Sequence, residues 1–190
     1  GVLVPEVWQA VARETQLPEL LKTTRDIPVY EDLMDYRLDI LHKQGITLTD
    51  IQNEIAKLKP LDGAKDFLDW ASERFQVAII SDTFYEFAGP LMVQLGDPFL
   101  LCHKLVVEND RVVGYKLRQT DPKRHSVKAF KSLDLKVIAA GDSFNDVSML
   151  EEADHGIFFQ APENVRAQFP QYPLAEDYAQ LQALIEEAVG

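Results

Sequence analysis

The sequence predicts an α/β protein, an open and largely parallel sheet with a small helical cap inserted near its start. Three observations predict it. From Val7 to about Leu58 the apolar residues fall at helical spacing with no strand-like run among them. Beyond Trp70 the pattern changes to short apolar runs separated by helices or loops. Two of those runs end on polar turns, Ser81-Asp82-Thr83 and Gly141-Asp142-Ser143-Phe144-Asn145-Asp146.

The elements follow in order. Val7, Trp8, Ala10 and Val11 form one helical stripe, Leu33, Met34, Arg37, Leu38, Ile40 and Leu41 a second, and Ile51, Ile55 and Leu58 a third. Asp62-Gly63 starts a further helix carrying Phe67, Leu68 and Trp70. Strand-like runs are expected at 76–80, 100–107, 111–117, 136–140 and 156–159. The segment from Leu105 to Val113 reads as a hairpin around an Asn109-Asp110 turn, and the other runs read as strands buried on both faces. The last stretch, Glu176 to Val189, is a helix with Tyr178, Leu181, Leu184 and Ile185 on one side. Trp8, Trp70 and the Phe84/Phe87 pair are read as core, and no repeat or low-complexity tract interrupts the pattern.

The chain has 190 residues, enough for one core domain with a modest insertion. Thirty-one acidic against nineteen basic residues give a net charge of −12, which argues against nucleic acid or an anionic membrane as partner. An anionic substrate then needs a bound cation and local positive groups to reverse the field in its pocket. A single cysteine, Cys102, following Phe99-Leu100-Leu101, is read as a buried thiol in a reducing cytoplasm. No apolar run approaches the length of a membrane span, and no signal peptide or tag is read at the start, which is Gly rather than Met.

The two polar turns carry the chemistry. Ligands of an open parallel sheet bind at the carboxyl ends of its strands, and Ser81 and Asp142 are both expected there. Ser81 can donate its hydroxyl to a phosphate, and the amides of Asp82 and Thr83, at an expected helix start, can cradle phosphate oxygens. Asp142 offers hard oxygens suited to magnesium, while Asn145 and Asp146 can hold a coordinated water or orient the ligands from behind. Lys123, in Asp121-Pro122-Lys123-Arg124, can neutralise charge on a transferring phosphoryl group. Each residue also has a plain structural reading: a helix cap for Ser81-Asp82-Thr83, a solvated side chain for Lys123, and Arg124 as the phosphate ligand instead. His103, His125 and His155 lack metal-ligand spacing.

The ordered set Ser81-Asp82-Thr83, Lys123 and Gly141-Asp142-Ser143-Phe144-Asn145-Asp146 resembles motifs two, three and four of the haloacid dehalogenase superfamily. Within it, residues 1–6, the run Ser81 to Phe87 and the Asp121-Arg124 turn resemble the phosphoserine phosphatase branch, in particular the bifunctional phosphoserine phosphatase/homoserine phosphotransferases. The resemblance implies a three-layer, Rossmann-like core of residues 1–6 and 63–190, with a helical cap of residues 7–62 inserted after the first strand. It implies a cytoplasmic, magnesium-dependent enzyme of serine biosynthesis. Phosphoserine would be its substrate and homoserine a second phosphoryl acceptor; the oligomeric state stays open, a dimer included. Ser81, Lys123 and Asp142 are the expected catalytic residues. Ser81, Asp82, Thr83 and Lys123 would bind phosphate, and Asp142 the metal, with Asn145 and Asp146 behind it. Glu6 would pair the substrate ammonium, Arg37 its carboxylate, and Asn145 would also face the substrate. Arg37 stands among Asp32, Asp35 and Asp39, so a solvated helix position is its plain alternative.

The family's first motif is an apolar strand, an aspartate nucleophile, one residue and a second acid before a Gly-Val-Leu-like turn. Residues 1–3 match that turn, so strand, nucleophile and second acid are expected just before Gly1, and the 190 residues are expected to be inactive and poorly stable alone. Two other classes fit less well. A phosphate- or metal-binding module without turnover has no need of Lys123 and Asp142, and a receiver domain has no need of the cap.

Overall fold

A computed structural model of the chain describes residues 1–23, 26, 27 and 29–190. The helical stripes become α1 (Val7–Glu14), α2 (Tyr30–Gln44) and α3 (Leu48–Ile55). Gly45, at a φ of 68°, closes α2 in the left-handed conformation that glycine adopts without strain. A reciprocal capping box of Thr47 and Asp50 opens α3. Then follow α4 (Ala64–Ser72), β1 (Ile79–Phe84), α5 (Tyr85–Leu95), β2 (Leu100–Glu108) and β3 (Arg111–Lys116). The chain continues through α6 (Pro122–Lys131), β4 (Ile138–Gly141), α7 (Val147–Glu152), β5 (His155–Phe159), α8 (Glu163–Arg166), β6 (Leu174–Ala175) and α9 (Tyr178–Val189).

These elements fall into two compact units, Gly1–Leu3 with Leu61–Ile80 and Gln119–Gly190, and Val4–Pro60 with Ser81–Arg118. In the first unit β4, β5 and β6 form a parallel sheet, with Ile138 opposite His155, Gly141 opposite Phe158 and Phe158 opposite Leu174. Alternation along β5 splits its side chains between two cores. Phe158 packs with Val127 of α6, Leu150 of α7 and Val165 of α8, whereas Ile157 and Phe159 pack with Phe67 of α4 and Leu181 of α9. Helices thus cover both faces of the sheet, which is the three-layer α/β arrangement.

In the second unit Leu33, Met34 and Leu41 of α2, Ile51 and Ile55 of α3, and Phe84, Phe87 and Leu91 are buried. The ring of Trp8 meets Phe87 edge-on at 5.3 Å. The expected hairpin is present: β2 and β3 pair antiparallel from Lys104 opposite Lys116 to Glu108 opposite Arg111. Its turn residues, Asn109 and Asp110, have φ of 49° and 62°, the paired positive values that suit the strand twist. Asp110 also anchors the tip, its Oδ1 accepting from the Thr49 amide and hydroxyl. Cys102 is buried as expected, and burial pushes its thiol up to about 12.

One expectation is corrected: Ser81 lies inside β1 and not at its carboxyl end. β1 neighbours β2 in a β1-β2-β3 sheet, and β4, which Asp142 follows, neighbours β5 in a β4-β5-β6 sheet. Among the described residues no helix is long and apolar enough to cross a membrane.

Candidate functional site

In the first unit β4 stops at Gly141, and the chain turns through Asp142 and Ser143 into a short 3-10 turn, Phe144–Asp146. The turn is tight because Asp146 folds back over the strand end. A Cβ on Gly141 would lie 2.4 Å from the Asp146 Cβ and 2.7 Å from its Cγ, so glycine is required by close approach. Asp146 is 6% exposed. Its Oδ2 accepts from the Asp142 amide at 2.9 Å, the Ser143 amide at 3.0 Å and the Ser143 hydroxyl at 2.8 Å. Its Oδ1 accepts from Lys123 Nζ at 2.7 Å.

Burial alone would raise the Asp146 carboxyl. The charge of Lys123, with hydrogen bonds from Lys123, Ser143 and the Asp142 amide, outweighs it and holds the group below the usual carboxylate range. Lys123 is itself 5% exposed and sits in the first turn of α6, which Pro122 opens. Asp142 remains part-exposed, and its Oδ2 accepts from the Gly1 nitrogen at 2.8 Å. Asn145 is exposed, and its Oδ1 accepts a short hydrogen bond from the Ser143 hydroxyl.

Among the described residues no three His, Cys, Asp or Glu side chains gather to hold a metal. The donors present are nonetheless of one chemical kind. The Asp142 carboxylate offers hard oxygens of the kind that suit magnesium, an ion that keeps waters and phosphate oxygens in its shell. Asp146, with both oxygens engaged, orients the loop from behind.

In the second unit α2 turns Arg37 inward. The side chain is 7% exposed, Nη2 donates to the Lys22 carbonyl at 2.8 Å, and the guanidinium lies 4.5 Å over the Trp8 ring. Its Nε is buried without a hydrogen-bond partner, and among the described residues no carboxylate pairs with it. Burial lowers its pKa to about 10, against the opposing influence of Tyr30 and Glu6. Glu6 is exposed, just before α1, and accepts from Gln9 Nε2 at 2.7 Å. Tyr30 donates to the Asp82 carbonyl at 3.4 Å, and its phenol is pushed up by burial and then by Asp82.

His103 of β2 is buried. Its Nδ1 accepts from the Arg118 amide at 3.0 Å, which places the ring proton on Nε2, 3.9 Å from Asp82 Oδ1. Ser81 Oγ accepts from the Thr83 amide at 3.3 Å, so its own O–H is left to donate.

Of the expected site residues, the first unit therefore brings together Lys123, Asp142, Asn145 and Asp146. The second unit carries Glu6, Arg37, Ser81, Asp82 and Thr83. Lys123 and Arg37, each with a solvated alternative, are buried. Arg124, the alternative phosphate ligand, is committed to Asp121 and Glu151 at 3.0 and 2.7 Å. The helix start expected at Asp82 and Thr83 is corrected: both lie inside β1, and α5 begins at Tyr85. The strand runs on because Thr83 and Phe84 favour extended backbone and β2 lies alongside to pair with it. Tyr30 was not singled out from the sequence, and His103 was named there only as lacking metal-ligand spacing. A histidine inside the apolar run Leu100-Leu101-Cys102 was the available signal for the second, since a polar side chain there must find a partner.

Residues 5–154 match the family of haloacid dehalogenase-like hydrolases. The phosphoserine phosphatase ThrH of Pseudomonas aeruginosa is 62% identical over 182 residues, which cover 95% of this chain and 89% of that protein. A phosphoserine phosphatase of Pseudomonas syringae pv. tomato is 60% identical over 182 residues, covering 95% of this chain and 77% of the relative. The solved phosphoserine phosphatase from T. onnurineus, in complex with NDSB-201, superposes with a TM-score of 0.70 at 26% identity, covering 95% of this chain and 87% of that one.

Proposed function

The chain belongs to the haloacid dehalogenase-like hydrolase family, and from that premise we propose that it is a cytoplasmic, magnesium-dependent phosphoserine phosphatase. In this reading it works through an aspartyl phosphate and can also pass the phosphoryl group to homoserine. The observation that carries the substrate is the extensive identity with the Pseudomonas phosphoserine phosphatases. The geometry supports it at Arg37, a buried guanidinium with no carboxylate partner among the described residues, ready for the carboxylate of an amino acid.

The reaction is two in-line displacements at phosphorus. An aspartate carboxylate attacks, the phosphorus–oxygen bond to serine breaks, and the serine oxygen takes up a proton. Water, or the hydroxyl of homoserine, then attacks the same phosphorus and frees the aspartate. The attacking aspartate is the nucleophile that the family's first motif supplies. Asp142, with that aspartate, would hold the magnesium, and Asn145 and Asp146 would support it. When bound, the ion supplies positive charge against the phosphate oxygens. Ser81 donates its hydroxyl and Lys123 its ammonium to the transferring group, with the amides of Asp82 and Thr83 as further donors. Glu6, just before the helical stretch 7–62 that acts as the cap, and Arg37 within it hold the substrate ammonium and carboxylate.

The test is phosphate release from phosphoserine by the intact protein, with magnesium or EDTA, and with homoserine while phosphohomoserine is followed by phosphorus NMR. Magnesium-dependent release with phosphohomoserine appearing supports the whole reading. Release without transfer reduces it to the phosphatase. A folded protein that binds phosphate but turns nothing over replaces it with the binding module.

A further inference from the structure

The helix that carries Lys123 and the helix that follows Asp146 are joined near their N-terminal ends by one carboxylate. Asp121 precedes α6 at φ 44° and ψ 58°, a left-handed conformation that a non-glycine residue holds only against strain. An aspartate in that position ordinarily serves its own helix alone, whereas this side chain also reaches the next one. Its Oδ1 accepts from the Ser148 hydroxyl of α7 at 2.7 Å, and its Oδ2 from Arg124 Nε at 3.0 Å. Arg124 in turn reaches across to Glu151 at 2.7 Å and Glu152 at 3.7 Å. Those outer pairs are more open to water and contribute little individually. Asp121 and Ser148 each stand two residues from a member of the buried Lys123–Asp146 pair.

We propose that Asp121 is a positioning residue: by gripping Ser148 it fixes α6 against α7 and so fixes where the Lys123 ammonium stands over the loop 142–146. The inference deepens the phosphatase reading and rests on it for its kinetic consequence, though not for its structural one. If the ammonium must meet a phosphoryl group in the transition state, loosening the grip lowers kcat and leaves ground-state binding alone.

The experiment compares Asp121→Gly, which adopts the left-handed backbone freely and carries no acceptor, with Ser148→Ala, their double variant and Ser148→Thr, in the intact protein. Each single change is expected to lower kcat about 10-fold with KM within about 2-fold, and the double to be no worse than either, because one contact is removed in all three. Ser148→Thr restores the rate. Hydrogen exchange at the Asp142 and Ser143 amides, which bond to Asp146, accelerates in the first three variants and not in the fourth. Unchanged kcat and exchange, or losses that multiply in the double variant, overturn the proposal. Should the unaltered protein release no phosphate, the phosphatase reading falls, and exchange at those two amides decides the positioning role alone: faster exchange upholds it and unchanged exchange overturns it.

Discussion

Arg37 occupies a place that a solvated helix residue does not. Its neighbours in sequence, Asp32, Asp35 and Asp39, are acids, yet among the described residues the guanidinium pairs with none of them and rests on Trp8 with one bond to the Lys22 carbonyl. A planar fork can stack on an indole and still bind a carboxylate through two parallel hydrogen bonds, whereas an ammonium acts as a point charge. Arg37→Lys is therefore expected to raise the KM for phosphoserine by roughly 10- to 100-fold with kcat little changed. Phosphoethanolamine, which lacks the carboxylate, should be processed alike by both proteins, and equal losses on the two substrates would assign Arg37 a merely structural part. The burial of Arg37 was legible in the sequence. Leu33, Met34, Leu38 and Leu41 mark one face of α2, and position 37 falls on it by helical spacing. The missing carboxylate partner was not legible, because it depends on which groups the other elements bring near.

At the scale of elements, sequence runs were easier to read than their pairing. The run 136–140, the polar turn after it and the Asn109-Asp110 hairpin all stand where local pattern puts them, since alternation, turn chemistry and apolar length are local properties. Sheet membership is not local: nothing in the residues of β1 says that β2 will lie beside it, nor that the strand will continue through Thr83. The close contact at the end of β4 is likewise invisible in a string of letters, although Gly141 itself is conspicuous. Gly141→Ala should be among the most damaging small substitutions available, because its Cβ would meet the Asp146 Cβ at 2.4 Å, and that atom cannot swing aside as a chain end could. Either β4 or the 3-10 turn must move, at a cost of about 1–3 kcal/mol. Urea unfolding should show the lower midpoint, and turnover should fall more steeply than stability because Lys123 and Asp142 lose their register.

For the whole molecule, charge acts in two opposing ways as pH falls. Thirty-one acids against nineteen bases leave a net charge of −12 at neutral pH, so protonating exposed carboxylates first relieves repulsion on the way down to the isoelectric point near 4.7. Asp146 works the other way. Its pKa in the folded protein lies below the unfolded value of about 3.9, so the unfolded chain takes up the proton first. The stability Asp146 contributes is complete above that unfolded value and drains away as pH falls through the folded one. Stability should therefore hold or rise slightly to about pH 5 and then collapse below about pH 4. Circular dichroism along a pH series checks the shape. Lys123→Met removes the charge that holds the buried carboxyl down, leaving burial to raise it, so the acid transition should move to higher pH by about one unit or more. If that variant does not fold, because an unpaired buried carboxylate costs several kcal/mol, the double variant Lys123→Met/Asp146→Asn restores a neutral pair. It should then unfold in acid without the steep step that Asp146 supplies. An acid transition at the same pH in all three proteins would show that some other carboxylate governs the collapse.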